Sequence, residues 1–586
     1  MITEIDFELL DKELAQAKKK ATALSLVRLL LFFLILAITI VGLSEIRLLL
    51  LSLPFALIFF VYLIIQFNRQ KDKEAFIKQL MQMAVESEKR KHRELKMFRS
   101  GDRYLDKNHP FANDLDLFGE HSLFQVLNHT VNQAGESLLV TWMKSPINAV
   151  NAKSRFTAIR ELSQKPVFLK SFEALGRAFI GKEKSKKDFY QWLEKPQMWK
   201  TWQFLPMLLG PIGGLGVLVG TLFFGLPYGW IGIWILLGMI FLGFVFQSLQ
   251  EAALVMPNEG DVKTFGLWSA ILVKEKFEDD YLKQLQHDFK NQEVAAPEVL
   301  KSLEQKTFMI QNRFNLVYLI FNLLFWTDFF LWWRLLVWKN KNAQYLQSWE
   351  NSFTTWQVLV SLGAFTAEES LTQTVDWTKE DMIEVKDIKH PLLHPAKAVG
   401  NDFSMDASNQ VVLLTGANMS GKTTFMRTLG INMVMVNLGL SPCATAFRCG
   451  HFQLFTSMRN SDNLGESVSS FYAELARIKL LLDTAAEGIK VFFLLDEILK
   501  GTNTEDRILG SEALIKQLAA SGGKGIISTH DIELSALENK LNYLKNRSFH
   551  SEITDQEIHF DYKIKAGPCP SFNAHKLMEL MGIKFN

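Results

Sequence analysis

Residues Val411 to Gly430 read VVLLTGANMSGKTTFMRTLG, and this stretch decides how the C-terminal part of the chain is built. An apolar run with strand character meets Gly416-Ala-Asn-Met-Ser-Gly421-Lys422-Thr423, which fits G-x-x-x-x-G-K-[ST], and TTFMRTLGINMVMV then reads as a helix. A glycine-rich turn between strand and helix points backbone N–H groups and a helix N-terminus at one spot, and that spot suits phosphate. The expected ligand is ATP with Mg²⁺. Gly416, Asn418, Ser420, Gly421, Lys422, Thr423 and Thr424 are the candidate binding residues. Lys422 is expected to neutralise the terminal phosphates and Thr423 to ligate the metal.

A phosphate loop needs acidic partners at the ends of neighbouring strands. Val491 to Leu495 is a continuous apolar run of the kind buried on both sheet faces, and Asp496 and Glu497 follow it directly. Asp496 is the second metal candidate, through the ion's water shell, and Glu497 the candidate base that polarises an attacking water. A third strand, KGIIST, leads to His530, placed to sense the γ-phosphate. A solvated acidic turn and a surface histidine capping a helix are the plainer readings of these two spots.

The chain has 586 residues, enough for three or four domains, and its 48% apolar and 12% aromatic content is rich for a wholly soluble protein. Net charge is +2, from 64 basic against 62 acidic residues, so no global positive field draws it to nucleic acid. Cys443, Cys449 and Cys569 form no CxxC pair, which supports neither a disulfide framework nor a zinc site. The polar, acidic start MITEIDFELLDKELAQAKKK is unlike a cleavable signal and reads as a retained cytoplasmic end.

Apolar runs at 21–43 and 48–67 are separated only by a few polar residues, and a second pair follows at 204–226 and 227–246. Each is about 20 residues long, the length a helix needs to cross roughly 30 Å of hydrocarbon. Lys18 to Lys20 before the first pair, and Arg69, Lys71 and Lys73 after it, place both of its ends in the cytoplasm. The competing reading is two pairs of buried soluble helices. Residues 315–338 are also apolar, but Asn315, Asn322 and Asp328 interrupt them and Arg334 follows closely, so this run is expected as a buried or membrane-surface helix of the cytoplasmic part, with a fifth span as the alternative.

TGANMSGKTTFMR, FTSMRNSDNLGESVSSFYAELARI, LLDEILKGTNTEDR and STHD, in this order and spacing, resemble the ATPase domain of the MutS family of mismatch-repair proteins, a branch of the ABC-type ATPases. LDLFGEHSLFQVLNHTVNQAGESLLVTWMKSPI (Leu115 to Ile147), DIKHPLL and AVGNDFSM resemble parts of that family's helical core and its lead-in to the phosphate loop. The resemblance implies dimeric heads with a nucleotide between two subunits. It puts Asn418 and Lys422 on phosphate positions, Thr423 and Asp496 on Mg²⁺ positions, Glu497 on the catalytic base and His530 on the switch histidine. It also implies that Ser469, Ser470 and Glu474 reach the partner subunit's nucleotide. Without the family, SVSSFYAEL is a helix start with hydroxyls at its cap.

Two departures stand out. Where the family usually carries an aromatic that can stack on the base, this chain has Ala398, and where the family has soluble core helices it has the second apolar pair. Phe118-Gly119-Glu120 is a chance string within a core motif and is not read as a mismatch wedge. EKRKHRELKMFR (Glu88 to Arg99) and KEKSKK (Lys182 to Lys187) would suit phosphate contacts, but the basic flank of a span or binding to anionic lipid is the preferred reading, so DNA contact rests on the resemblance more than on charge.

The expected architecture is multi-domain: an α-helical core with transmembrane helical hairpins, and a C-terminal α/β ATPase domain with a phosphate loop. The expected division is 1–20 cytoplasmic N-terminus, 21–67 first hairpin, 68–203 core, 204–247 second hairpin, 248–380 rest of the core and lever, and 381–586 ATPase domain. The expected protein is a multi-pass ATPase of the cell membrane with both termini and the ATPase domain cytoplasmic. Its expected partners are a second copy of itself, double-stranded DNA that is mismatched or distorted, and the lipid bilayer. The alternatives are an ABC-type transporter, for which no LSGGQ-like string occurs, and a tethered ATPase that regulates a protein or RNA partner.

Overall fold

A computed structural model describes residues 7–181, 186–290, 294–458, 470–553 and 558–570. The chain forms two compact units, neither contiguous in sequence: 1–86, 130–135 and 165–357 in one, 87–129, 136–164 and 358–586 in the other.

In the first unit, among the described residues, every regular element is a helix. The leading hairpin is Phe7–Ser44 and Leu53–Lys91, joined through a 3-10 segment at Arg47–Ser52. The second apolar run of the sequence therefore begins in a tight turn and becomes α-helical only at Leu53. The second hairpin is Phe204–Phe223 and Gly229–Val255. With the short turns that lead into them, these four helices are long and apolar enough to cross a membrane. Large apolar side chains along them face outward, among them Leu30, Phe33, Phe55 and Ile240.

The run expected as one helix over 315–338 is broken. Leu316–Phe325 ends at Trp326, whose φ of +54° reverses the chain, and a new helix, Thr327–Glu369, starts at once. Asn322 explains the break, because its Oδ1 accepts from the Asp328 amide (2.9 Å) and from Thr327 Oγ1 (3.1 Å) and so caps the next helix. The preceding helix, Ala296–Gln311, meets Leu316–Phe325 at a 93° bend.

The second unit carries two sheets, with strands β1 (Val375–Trp377), β2 (Ile383–Ile388), β3 (Asn401–Met405), β4 (Val411–Gly416), β5 (Ala446–Cys449), β6 (Gln453–Ser457), β7 (Val491–Asp496), β8 (Lys524–Ser528), β9 (Leu544–Ile553) and β10 (Ile558–Ala566). The smaller sheet has the order β1-β5-β2-β3, and the larger β10-β9-β4-β8-β7-β6. In the larger one only β10 runs antiparallel. Its central strands read VVLL and VFFLL because helices cover both faces. Leu413, Phe493, Leu495 and Ile527 share a core with Ile478 and Leu481 of helix Ser470–Ala486 and Ile515 and Leu518 of helix Thr504–Ala520. Leu494, pointing the other way, lies against Gly430 of helix Lys422–Leu438. Each buried Leu or Phe contributes about 1.5–3 kcal/mol, and the period of two sorts them between faces.

Residues 110–116 belong to this unit and clamp its sheet. Asp114 accepts from Thr456 Oγ1 (2.7 Å) and Arg477 Nη2 (3.3 Å), and Asp116 pairs with Arg427 at 3.0 Å.

Candidate active site

In the larger sheet β4, β8 and β7 are neighbours and parallel, so their C-terminal ends open at one edge, the place where open α/β sheets bind ligands. β4 delivers the glycine-rich loop there. Gly416 and Gly421 have φ of +154° and +105°, regions that side chains rarely enter, and Gly421 leads straight into helix Lys422–Leu438. A Cβ on Gly416 would crowd the Phe549 carbonyl and Ser420 Oγ at 2.8 and 2.9 Å. Asn418 and Met419 form the exposed tip and Thr424 faces outward.

Two groups in this loop are poorly served by protein alone. Lys422 is buried, and its ammonium donates to the loop's own carbonyls, Gly416 O at 2.7 Å and Ala417 O at 3.1 Å. Burial pushes its pKa down although Glu497 and Asp496 lie near. Ser420 Oγ is buried and has no hydrogen-bond partner among the described residues. A buried cation held by carbonyls and an unpaired hydroxyl are the features that an anion with many acceptor oxygens would satisfy.

Thr423 Oγ1 donates to Asp496 Oδ2 at 2.6 Å, and the other carboxylate oxygen of Asp496 accepts from Ser528 Oγ. Ser528 stands between β4 and β7, paired with Leu414 on one side and Asp496 on the other, which explains how residues 73 apart in sequence meet. Hydroxyl and carboxylate oxygens are hard ligands that suit Mg²⁺, an ion that keeps several waters and leans on substrate phosphates. Among the described residues no group of three or more His, Cys, Asp or Glu side chains forms a metal cage.

Glu497 follows with φ +49°, its amide held by Ser528 O at 3.0 Å. Its carboxylate faces His530 Nε2 at 2.8 Å and Lys500 Nζ. The bond from His530, then that from Lys500, holds its pKa down at about 2 against the opposing effect of burial. Two residues on, Leu499 has φ +60°, and its amide donates to Glu474 Oε1. Such backbone in a non-glycine residue costs roughly 1–3 kcal/mol and is a feature of functional sites. Glu474 thus supports the loop after β7 within its own chain, its carboxyl pKa raised by burial. Ser469 and the side chain of Ser470 lie outside the described residues.

Three neighbours escaped the sequence reading. Ser528 and Lys500 were visible only as members of a strand and a loop. Tyr562 of β10 is far from the glycine-rich loop along the chain, yet its ring stands 3.2 Å from where a Cβ of Gly421 would be, and it is exposed. Asn401 fixes that strand by donating to Tyr562 O (3.0 Å) and accepting from the Ile564 amide (2.8 Å). Ala398 supplies no ring, and Tyr562 puts an aromatic beside the loop from another strand.

The MutS domain V model matches residues 412–583. DNA mismatch repair protein MutS of Acetivibrio thermocellus is 31% identical over 252 residues, 42% of this chain and 28% of that protein. The MutS proteins of Bacillus cytotoxicus and Thermotoga sp. are 33% and 30% identical, over 36% and 35% of this chain and 24% and 26% of theirs. Over its C-terminal part the chain is similar to the MutS family. It spans roughly a quarter of the length of the relatives it matches.

The arginines of the basic cluster at 88–99 are used inside their own unit. Arg90 donates to Asn128 O at 3.1 Å and lies over Phe98, Arg93 forms two bonds with Glu369 at 2.6 and 2.9 Å, and Arg99 joins Arg103 on the buried Glu136. In the second cluster, residues 182–185 lie outside the described residues, and Lys186 pairs with Glu350.

Proposed function

We propose that the chain is a membrane-anchored MutS-like ATPase whose cycle of ATP binding and hydrolysis controls its grip on double-stranded DNA that is mismatched or distorted. The observation that carries the ATPase part is the convergence of a buried Lys422, an unpaired Ser420 hydroxyl, the Thr423–Asp496 pair and a carboxylate at Glu497 on one sheet edge. Mg²⁺, when bound, would neutralise charge on the phosphates. Lys422 exchanges its two carbonyl contacts for phosphate oxygens, and Gly416, Gly421 and the amides of Lys422, Thr423 and Thr424 leave the phosphate room to reach the helix end. Asn418 and Ser420 add donors. Thr423 and Asp496 hold the metal or its waters.

Glu497 orients the attacking water and takes its proton, in an in-line displacement at the γ-phosphate. Its oxygens face His530 and the half-exposed Lys500, so Lys500 gives way where a water approaches the carboxylate. Tyr562 offers the base a stacking surface. Two heads close on their nucleotides as a homodimer, with Ser469, Ser470 and Glu474 at the junction. Exposed Tyr472 and Leu475 on the helix beside the site supply apolar surface for that contact.

Anchoring in a bilayer is supported by four long apolar helices that expose their side chains, and the cytoplasmic placement of both termini and the ATPase domain rests on the basic flanks Lys18 to Lys20, Arg69, Lys71 and Lys73. DNA binding rests on the family and not on charge, since several of the basic residues at 88–99 are engaged by protein. Filter binding of homoduplex, mismatched and branched DNA over a salt series tests it. The proposal predicts retention that changes with ATP state and weakens with salt. No retention at any salt, alongside normal ATP turnover, would favour the tethered regulator or transporter.

A further inference from the structure

We propose that residues 312–333 form a re-entrant hairpin that dips into the hydrocarbon beside the second apolar pair, turns at Trp326 about half-way across, and shows one face of helix Leu316–Phe325 to lipid chains. The inference rests on reading the long apolar helices as membrane spans and assigns a fifth element to that region.

The packing sets the level of each end. Phe314, at the start, meets Phe246 with ring centroids 6.4 Å apart, where the apolar run of helix Gly229–Val255 gives way to Gln247 and Ser248. Trp326, at the far end, stacks on Trp234 at 4.6 Å and on Phe241 at 5.4 Å, well inside that run. The helix between them has 10 residues, or roughly 15 Å at 1.5 Å per residue, against a hydrocarbon thickness of about 30 Å. After the turn the chain heads back, with Phe329 meeting Trp202 just before helix Phe204–Phe223 begins.

Close approach is built in. A Cβ on Gly210, Gly214 or Gly238 would collide with the Phe325 carbonyl, the Leu324 carbonyl and the Trp326 ring respectively. Small residues at helix contacts are the means by which helices pack in lipid, where apolar burial gives no drive.

A backbone turn at such depth is tolerated only where its polar groups find partners. Here the Leu324 carbonyl accepts from Trp234 Nε1 at 2.8 Å, the Trp326 amide donates to Asn322 O at 2.8 Å, and the Asn322 side chain caps the returning helix. Asp328, the charge that argued against a span, is buried with Arg313 at 3.2 Å and accepts from Tyr318 Oη at 2.7 Å. A paired carboxylate facing protein is the form in which an acid is found at membrane depth.

The opposite face is apolar and uncovered: Phe314, Leu316, Val317, Ile320 and Phe321. It continues the outward surfaces of the two neighbouring helices, where Leu215 and Ile240 are also exposed. Acyl chains are the occupant that covers all three alike.

The test is nitroxide labelling of Phe314→Cys, Ile320→Cys, Ile240→Cys and Leu509→Cys in the full chain, reconstituted in phosphatidylcholine–phosphatidylglycerol vesicles. Unsubstituted protein supplies the background of its own three cysteines. Relaxation by oxygen, which enters lipid, is compared with relaxation by a nickel chelate, which does not. The oxygen-to-nickel ratio should rise several-fold from 314 to 320, approach that at 240, and exceed that at 509. A ratio at 320 equal to that at 509, with 240 lipid-like, would overturn the hairpin and leave the spans intact. Ratios at 240 and 320 both equal to that at 509 would end the membrane reading itself.

Discussion

Two kinds of stretch in this chain have nearly the same composition and opposite fates. Val411 to Leu414 and Val491 to Leu495 are apolar without interruption and at most 1% exposed, whereas Leu30 and Phe55, in equally apolar runs, are 62% and 75% exposed. The strands are 6 residues long and lie between other strands. The helices extend over 38 and 39 residues and leave most of their apolar surface outside the protein. Apolarity therefore says that water is avoided, and length says which medium replaces it.

The contrast can be broken most severely at the sheet edge that carries the proposed site. Glu497→Gln is expected to bind ATP but lose about 10²–10⁴-fold in turnover, read as phosphate release at saturating nucleotide; unchanged turnover removes Glu497 from the chemistry. The same truncation placed in the two media sharpens it. Leu413→Ala opens a hole among packed side chains and should cost about 2–5 kcal/mol in the denaturation of the C-terminal unit. Leu30→Ala, measured in detergent, should stay within about 0.5 kcal/mol, and equal losses would mean that Leu30 is packed against protein.

Smaller again is Gly421→Ala, which forces a side chain into φ +105° and should cost roughly 1–3 kcal/mol while weakening ATP binding. Weakest is the pH effect of Glu497. Its pKa is lower in the folded protein than in the unfolded chain, so its contribution is fully present above the ordinary carboxylate range and is lost as pH falls through about 2. Replacing His530 with Ala should flatten that acid slope in denaturation curves.

The glycine-rich loop and the acids after β7 were legible because each sits within a few residues of the strand that carries it. What joins them was not, since Ser528 acquires its place only through strand order, and Tyr562 only because β10 folds back beside the loop. The long apolar helices announced themselves by length. The break at Trp326 did not, because it depends on an asparagine capping a helix it does not belong to and on glycines of distant helices making room. The basic run at 88–99 was legible only as charge, and the use of Arg90 and Arg93, which bond to carbonyls and a carboxylate within their own unit, was not.

The central claim, an ATPase rooted in a bilayer, is tested most directly by floating the reconstituted protein on a density gradient after an alkaline carbonate wash and assaying each fraction for magnesium-dependent ATP hydrolysis. The account predicts that hydrolysis rises with the vesicles and is absent from the same fraction of Glu497→Gln. Activity left behind in the aqueous fraction, or vesicles that carry the protein but hydrolyse nothing, would contradict it.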